Sequence, residues 1–191
     1  YKPSATSFHA SLFDNSEQFS LQAYTKFEQF LIASISDALQ HADIDIKNKN
    51  TVLIISSTKG NISLLETEPG SKALHKRVAM TTSAKLIADY FGLQNHPIII
   101  SNACISGVMA MITGTRLLQS GPYENAVVCG ADVISKFIVS GFQSFQALSP
   151  SVCRPFDKSR DGLNLGEGAA TVVLSANKKF EGNLRVRGGS D

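Results

Sequence analysis

Long apolar runs are missing from this sequence. None approaches the roughly 20 residues that span a bilayer, so no membrane segment is expected. Charge of one sign is also scarce: 18 Lys and Arg stand against 16 Asp and Glu, a net charge of +2. With no basic run beside it, that balance argues against nucleic acid as a partner. Cysteines number three, Cys104, Cys129 and Cys153. An odd count at long, irregular spacing is neither a disulfide framework nor a zinc pattern, so no metal is expected. The simpler setting for such a chain is reducing and cytoplasmic. The opening Tyr1-Lys2-Pro3-Ser4 lacks signal-peptide character and an initiator Met.

What is present fits a globular core. Hydrophobic residues make up 43% and charged residues 18% of the 191, enough for one domain or a large part of a bigger one. Residues 1–23 are irregular and polar. Tyr24, Phe27, Leu31, Ile35, Ala38 and Leu39 recur at helical spacing, which predicts an amphipathic helix over 21–41. Buried strands are expected at 51–55, 97–101 and 126–130, with further strands at 169–175 and from 184. A helix over 81–91 should stop at Gly92, and another should run over 105–120. Residues 63–77 are ambiguous, 133–147 suit a short helix or turn, and 149–168 form a long loop. Strands alternating with helices mean an α/β fold. The first half of the 105–120 helix is apolar on every side, as in a helix buried all round. Its Gly107 and Gly114 fall on roughly one face and would permit close backbone approach.

The chemistry concentrates where strand 97–101 meets helix 105–120, at Cys104. A helix N-terminus leaves unpaired N–H groups and carries partial positive charge, both of which favour a thiolate. The same N–H groups could hold the oxyanion of a tetrahedral intermediate. The alternative is a structural cysteine packed as a small hydrophobe. Cys129, inside an apolar strand, reads as structural, and Cys153 as an ordinary loop thiol.

These residues resemble a known family. Asn102-Ala103-Cys104-Ile105-Ser106-Gly107 is similar to the active-site segment of β-ketoacyl-(acyl carrier protein) synthases. Arg154-Pro155-Phe156-Asp157-Lys158-Ser159-Arg160-Asp161-Gly162, followed by Gly166-Glu167-Gly168-Ala169, resembles their second signature. Arg154 lies 50 residues after Cys104 (154 − 104), as in the family. Gly130-Ala131-Asp132, Gly141-Phe142 and Ala147-Leu148-Ser149 match further family segments, and the likeness runs from about residue 24 to the end. The cysteine segment alone would also suit thiolases and CoA-primed synthases; the second signature selects the carrier-protein elongating branch and its polyketide relatives.

The resemblance implies a thiolase-like fold of two similar α/β halves, with buried helices between two five-stranded sheets, of which this chain is the N-terminal half. It implies Cys104 as acyl-accepting nucleophile, acyl carrier protein as partner, a homodimer in the full-length form, and no cofactor. Phe142 aligns with a position lining the acyl pocket, against a core-packing alternative. The elongating enzymes also use two histidines from the second half. His9, His41, His75 and His96 all precede Cys104 and sit in no such motif, so all four are taken as surface or loop residues. Condensation by this chain alone is therefore not expected. The family's first strand, with its Val-Thr-Gly-x-Gly turn, is not recognisable here, and an exposed, unusually apolar half-interface is expected. Asp157, Arg160 and Asp161 are expected to form a structural clasp, with Gly162, Gly166 and Gly168 at positive φ. A non-catalytic partner subunit, like the chain-length factors that pair with ketosynthases, is the competing reading; those typically lose the cysteine.

Overall fold

The computed structural model describes residues 8–13, 21–180 and 186. Four strands form the main sheet: β2 (Thr51–Ser56), β3 (Ile98–Ile100), β4 (Asn125–Asp132) and β6 (Gly168–Ser175). Their spatial order is β3-β2-β4-β6. β3 and β4 flank β2 in parallel, with Ile54 opposite Ile98 and Ile55 opposite Cys129. β6 runs antiparallel to β4, Cys129 opposite Thr171. A short parallel ladder joins β1 (Ala10–Ser11) to β5 (Leu165–Gly166). The described residues thus supply four strands to the main sheet rather than the five of the resemblance; the expected strand from 184 lies, Val186 apart, outside them.

Helices cover both faces because the central strands are apolar on both. Leu53, Ile55, Val127 and Cys129 join Phe27, Leu31 and Ile35 of α1 (Lys26–Gln40) and Ile87 of α3 (Met80–Phe91) in one cluster. The alternate residues Val52, Ile54, Ala126 and Val128 meet Ala110 of α4 (Ser106–Gln119) in another. Period-two alternation thus feeds two cores on opposite sides of one sheet. The ambiguous stretch 63–77 resolves into a 3-10 turn (Ile62–Glu66) and α2 (Lys72–Val78). Helix α5 spans Lys136–Ser144.

The α1 helix begins at Lys26, five residues later than the periodicity suggested, because Thr25 caps it. The Thr25 hydroxyl accepts from the Glu28 N–H and the Glu28 carboxylate accepts from the Thr25 N–H, a reciprocal capping box. Two expectations for α4 need correction. The helix is not buried all round: Ala110 and Gly114 face the sheet, while Val108 and the preceding Ile105 are 60% and 50% exposed. Only one of its two glycines is in close packing. A Cβ on Gly114 would meet Leu174 at 3.2 Å and Val128 at 3.3 Å, whereas one on Gly107 would meet open space.

Candidate active site

Strands β2, β3 and β4 are parallel and end at Ser56, Ile100 and Asp132, so their carboxyl ends share one edge of the sheet. In open α/β sheets that edge is where ligands bind. Cys104 lies there, in a 3-10 turn (Ala103–Ile105) between β3 and α4. The turn forms because Ala103 adopts φ 43°, a left-handed value that a residue with a Cβ seldom takes. The Ile105 N–H donates to the Asn102 carbonyl at 3.1 Å. The Ser106 hydroxyl accepts from the Asn102 N–H at 2.8 Å and donates to the Ala103 carbonyl at 2.7 Å. The result is a sharp elbow that presents Cys104 to solvent. Among the described residues Cys104 is exposed rather than packed as a small hydrophobe.

The other two cysteines differ. Cys129 is fully buried, and burial pushes its thiol up to about 11, with the Thr171 and Ser34 hydroxyls pulling the other way. Cys153 is half-buried in the loop, its N–H donating to Asn164 Oδ1 at 2.8 Å. Phe142 is half-buried on α5, the helix that follows β4; it is outside both core clusters. The elements carrying Cys104 and Phe142 therefore leave the same edge of the sheet, on either side of β2. All four histidines are exposed.

The second signature is a clasp of paired groups. Asp161 accepts from the buried Ser149 hydroxyl at 2.9 Å and faces Arg154 at 3.5 Å; the Ser149 bond leads in holding its carboxyl below the usual range. Asp157 accepts from the Ser159 hydroxyl and N–H, which hold it low as well. Arg160 donates to the Asp157 carbonyl at 3.1 Å. Gly162 has the expected positive φ, 137°, with the backbone of 147–149 against it. Gly166 and Gly168 do not; both lie in strands, where extended backbone serves. Glu167 is the hub: Lys26 Nζ reaches it at 2.6 Å, and the N–H groups of Phe13 and Ile134 at 3.2 and 3.3 Å.

Sequence reasoning missed the cluster around Glu28. This carboxylate is wholly buried, yet it accepts from Arg77, Asn61 and Ser83. Asn61 follows the loop that leaves β2, so the cluster fixes that loop against α1 and α3. The Ser57 N–H in turn donates to the Ile100 carbonyl at 3.3 Å, joining the loop to the end of β3. The Thr25-x-x-Glu28 pattern was the available signal.

The family model for the N-terminal domain of β-ketoacyl synthases matches residues 2–179. The chain belongs to the β-ketoacyl synthase family. Among curated relatives of this β-ketoacyl synthase chain is the 3-oxoacyl-[acyl-carrier-protein] synthase 2 of Vibrio cholerae, 30% identical over 78% of this chain and 41% of that protein. The ketoacyl synthase alpha subunit of the tetracenomycin polyketide synthase of Streptomyces glaucescens is also 30% identical, over 79% and 42%. The solved ishigamide ketosynthase/chain length factor matches with a TM-score of 0.71 at 25% identity, covering 86% of this chain and 45% of that one. The ketosynthase ApeO of Xenorhabdus doucetiae, solved in complex with its chain length factor ApeC, gives a TM-score of 0.63 at 27% identity, covering 78% and 41%. These solved ketosynthases share the α/β, thiolase-like fold. The β-ketoacyl synthase chain spans less than half the length of the relatives it matches. Ile105, Val108, Phe137, Phe145 and Phe156 are exposed apolar side chains among the described residues. No described helix is long and apolar enough to cross a membrane.

Proposed function

We propose that this chain is the nucleophile-bearing half of a β-ketoacyl-acyl carrier protein synthase of fatty acid or polyketide synthesis. Cys104 Sγ attacks the carbonyl carbon of an acyl thioester on the carrier protein, the carrier thiol leaves, and the acyl group rests on Cys104. A malonyl-carrier thioester then loses carbon dioxide. The carbanion so formed attacks the Cys104 thioester, Sγ departs as thiolate, and a 3-ketoacyl-carrier product forms. Dividing the reaction through a covalent intermediate is nucleophilic catalysis. The Cys104 N–H serves as an oxyanion donor, and Phe142 lines the acyl pocket. A homodimer in the full-length form, in a cytoplasmic setting, belongs to the same reading.

The observation that carries the proposal is the solvent-open sulfur of Cys104 on a left-handed elbow at the carboxyl edge of the sheet. Incubation with an acyl-loaded carrier protein should add one acyl mass, localised to Cys104 and lost in Cys104→Ala; no adduct on the parent chain would overturn it. Decarboxylation and condensation need the family's two histidines, and the four present are exposed and precede Cys104. The 191-residue chain is therefore expected to release no carbon dioxide from malonyl-carrier protein. A non-catalytic partner subunit is the competing reading, and the presence of Cys104 weighs against it.

A further inference from the structure

Around the elbow, residues 101–105 and Gly107 are exposed, but Ser106 is only 6% exposed. Its hydroxyl uses that inward position fully. It accepts from the Asn102 N–H and donates to the Ala103 carbonyl, while the Ser106 backbone N–H donates to the same carbonyl. The Ala103 oxygen thus accepts two hydrogen bonds from one residue. That oxygen belongs to the peptide group whose other end is the Cys104 N–H. The peptide is trans, so its N–H points opposite to its C=O. Fixing the oxygen therefore fixes the direction of the Cys104 N–H. Hydrogen bonds to the oxygen also polarise the amide, since bonded groups in a chain strengthen one another.

We infer that Ser106 is a positioning residue, aiming and polarising the Cys104 N–H toward the oxyanion that forms during acyl transfer. The inference rests on Cys104 being the acyl-accepting nucleophile. Through its bond to the Asn102 N–H the hydroxyl also braces the left-handed turn at Ala103. Ser106 touches no reacting atom; it acts through the peptide between Ala103 and Cys104.

Two reactions of the same sulfur separate this role from a merely structural one. Acylation by a small acyl thioester, hexanoyl-N-acetylcysteamine, passes through a tetrahedral oxyanion. Alkylation by iodoacetamide displaces iodide at a saturated carbon and has no oxyanion. Ser106→Ala should slow acylation of Cys104 about tenfold or more, a fraction of what losing an oxyanion donor outright costs. Its alkylation rate should stay within about threefold of the parent, because the sulfur remains exposed on the turn. Ser106→Thr, which keeps the hydroxyl, should restore acylation. If Ser106→Ala acylates as fast as the parent, or if acylation and alkylation fall together, the inference is overturned. A parent chain that alkylates but never acylates at Cys104 defeats the nucleophile assignment instead.

Discussion

Arg77 grips Glu28 with both terminal guanidinium nitrogens at 2.6 Å, joining two helices across 49 residues of sequence. The Glu28 side chain is wholly buried and the Arg77 side chain is 28% exposed. Breaking such a pair by removing one partner strands a charge in the core, and Arg77→Ala should lower unfolding free energy by about 3 kcal/mol. Urea denaturation of the two proteins at neutral pH measures the difference.

The same carboxylate sets an acid limit. Burial pushes it up, but bonds from Arg77, the Thr25 N–H and Ser83 outweigh burial and bring it from 4.5 down to about 2. A folded-state value below the unfolded one means that the stabilisation is complete above pH 4.5 and disappears as pH falls toward 2. The loss across that window should be about 3 kcal/mol, at 1.36 kcal/mol per pH unit. Glu28→Gln should be less stable at neutral pH and should lack this component of the acid dependence. Melting temperatures of both proteins between pH 5 and pH 2 test the sign.

Two glycines should respond in opposite directions. A Cβ on Gly162 would stand 2.6 Å from the Ser149 nitrogen and 2.8 Å from the Leu148 carbonyl carbon, at a φ of 137°. Both neighbours are backbone and cannot swing aside, so Gly162→Ala should cost more than about 1 kcal/mol and loosen the clasp. Gly107, helical with nothing near its would-be Cβ, should gain about 0.5–1 kcal/mol on replacement by Ala. Thermal unfolding of the two variants beside the parent gives the comparison.

Thiol labelling should sort the three cysteines by environment. Cys129 is sealed in the core with its thiol raised to about 11, so it should stay unlabelled by iodoacetamide at neutral pH until denaturant is added. Cys104, open to solvent, should be modified in the native protein. Peptide mapping before and after unfolding reads both; native labelling of Cys129 would contradict the core assignment.

Glu66 caps α5 from outside the helix. Its two oxygens accept from the N–H groups of Lys136 and Phe137 at 3.1 and 2.9 Å. A negative side chain at a helix N-terminus contributes about 0.3–1 kcal/mol. Glu66→Ala should therefore speed hydrogen exchange at the start of α5 while leaving α1 protected, as exchange mass spectrometry can show.

Much of the scaffold was legible because it rests on local period. The apolar runs at 51–55 and 126–130 and the helical spacing from Phe27 to Ile35 survive folding almost unchanged, as buried strands and as a helix packed on them. The elbow was legible too, since a strand followed within five residues by a helix leaves the chain only a tight turn. The α4 misreading has a plain cause: an apolar residue announces that it wants cover, not whether this chain provides it. Val108 and Ile105 remain open for that reason.

The sequence by itself determined the alternating α/β order, the two-sided core strands, and the placing of Cys104 between a strand and a helix. Those follow from side-chain periodicity and from where the chain can turn. Only the tertiary structure decided that Glu28 is a buried ion-pair centre and that Glu66 caps a helix 70 residues away. Hydrogen bonds are directional and short. Which donor meets which acceptor is fixed when distant segments are brought within 3 Å or so, and no spacing rule along the chain carries that information.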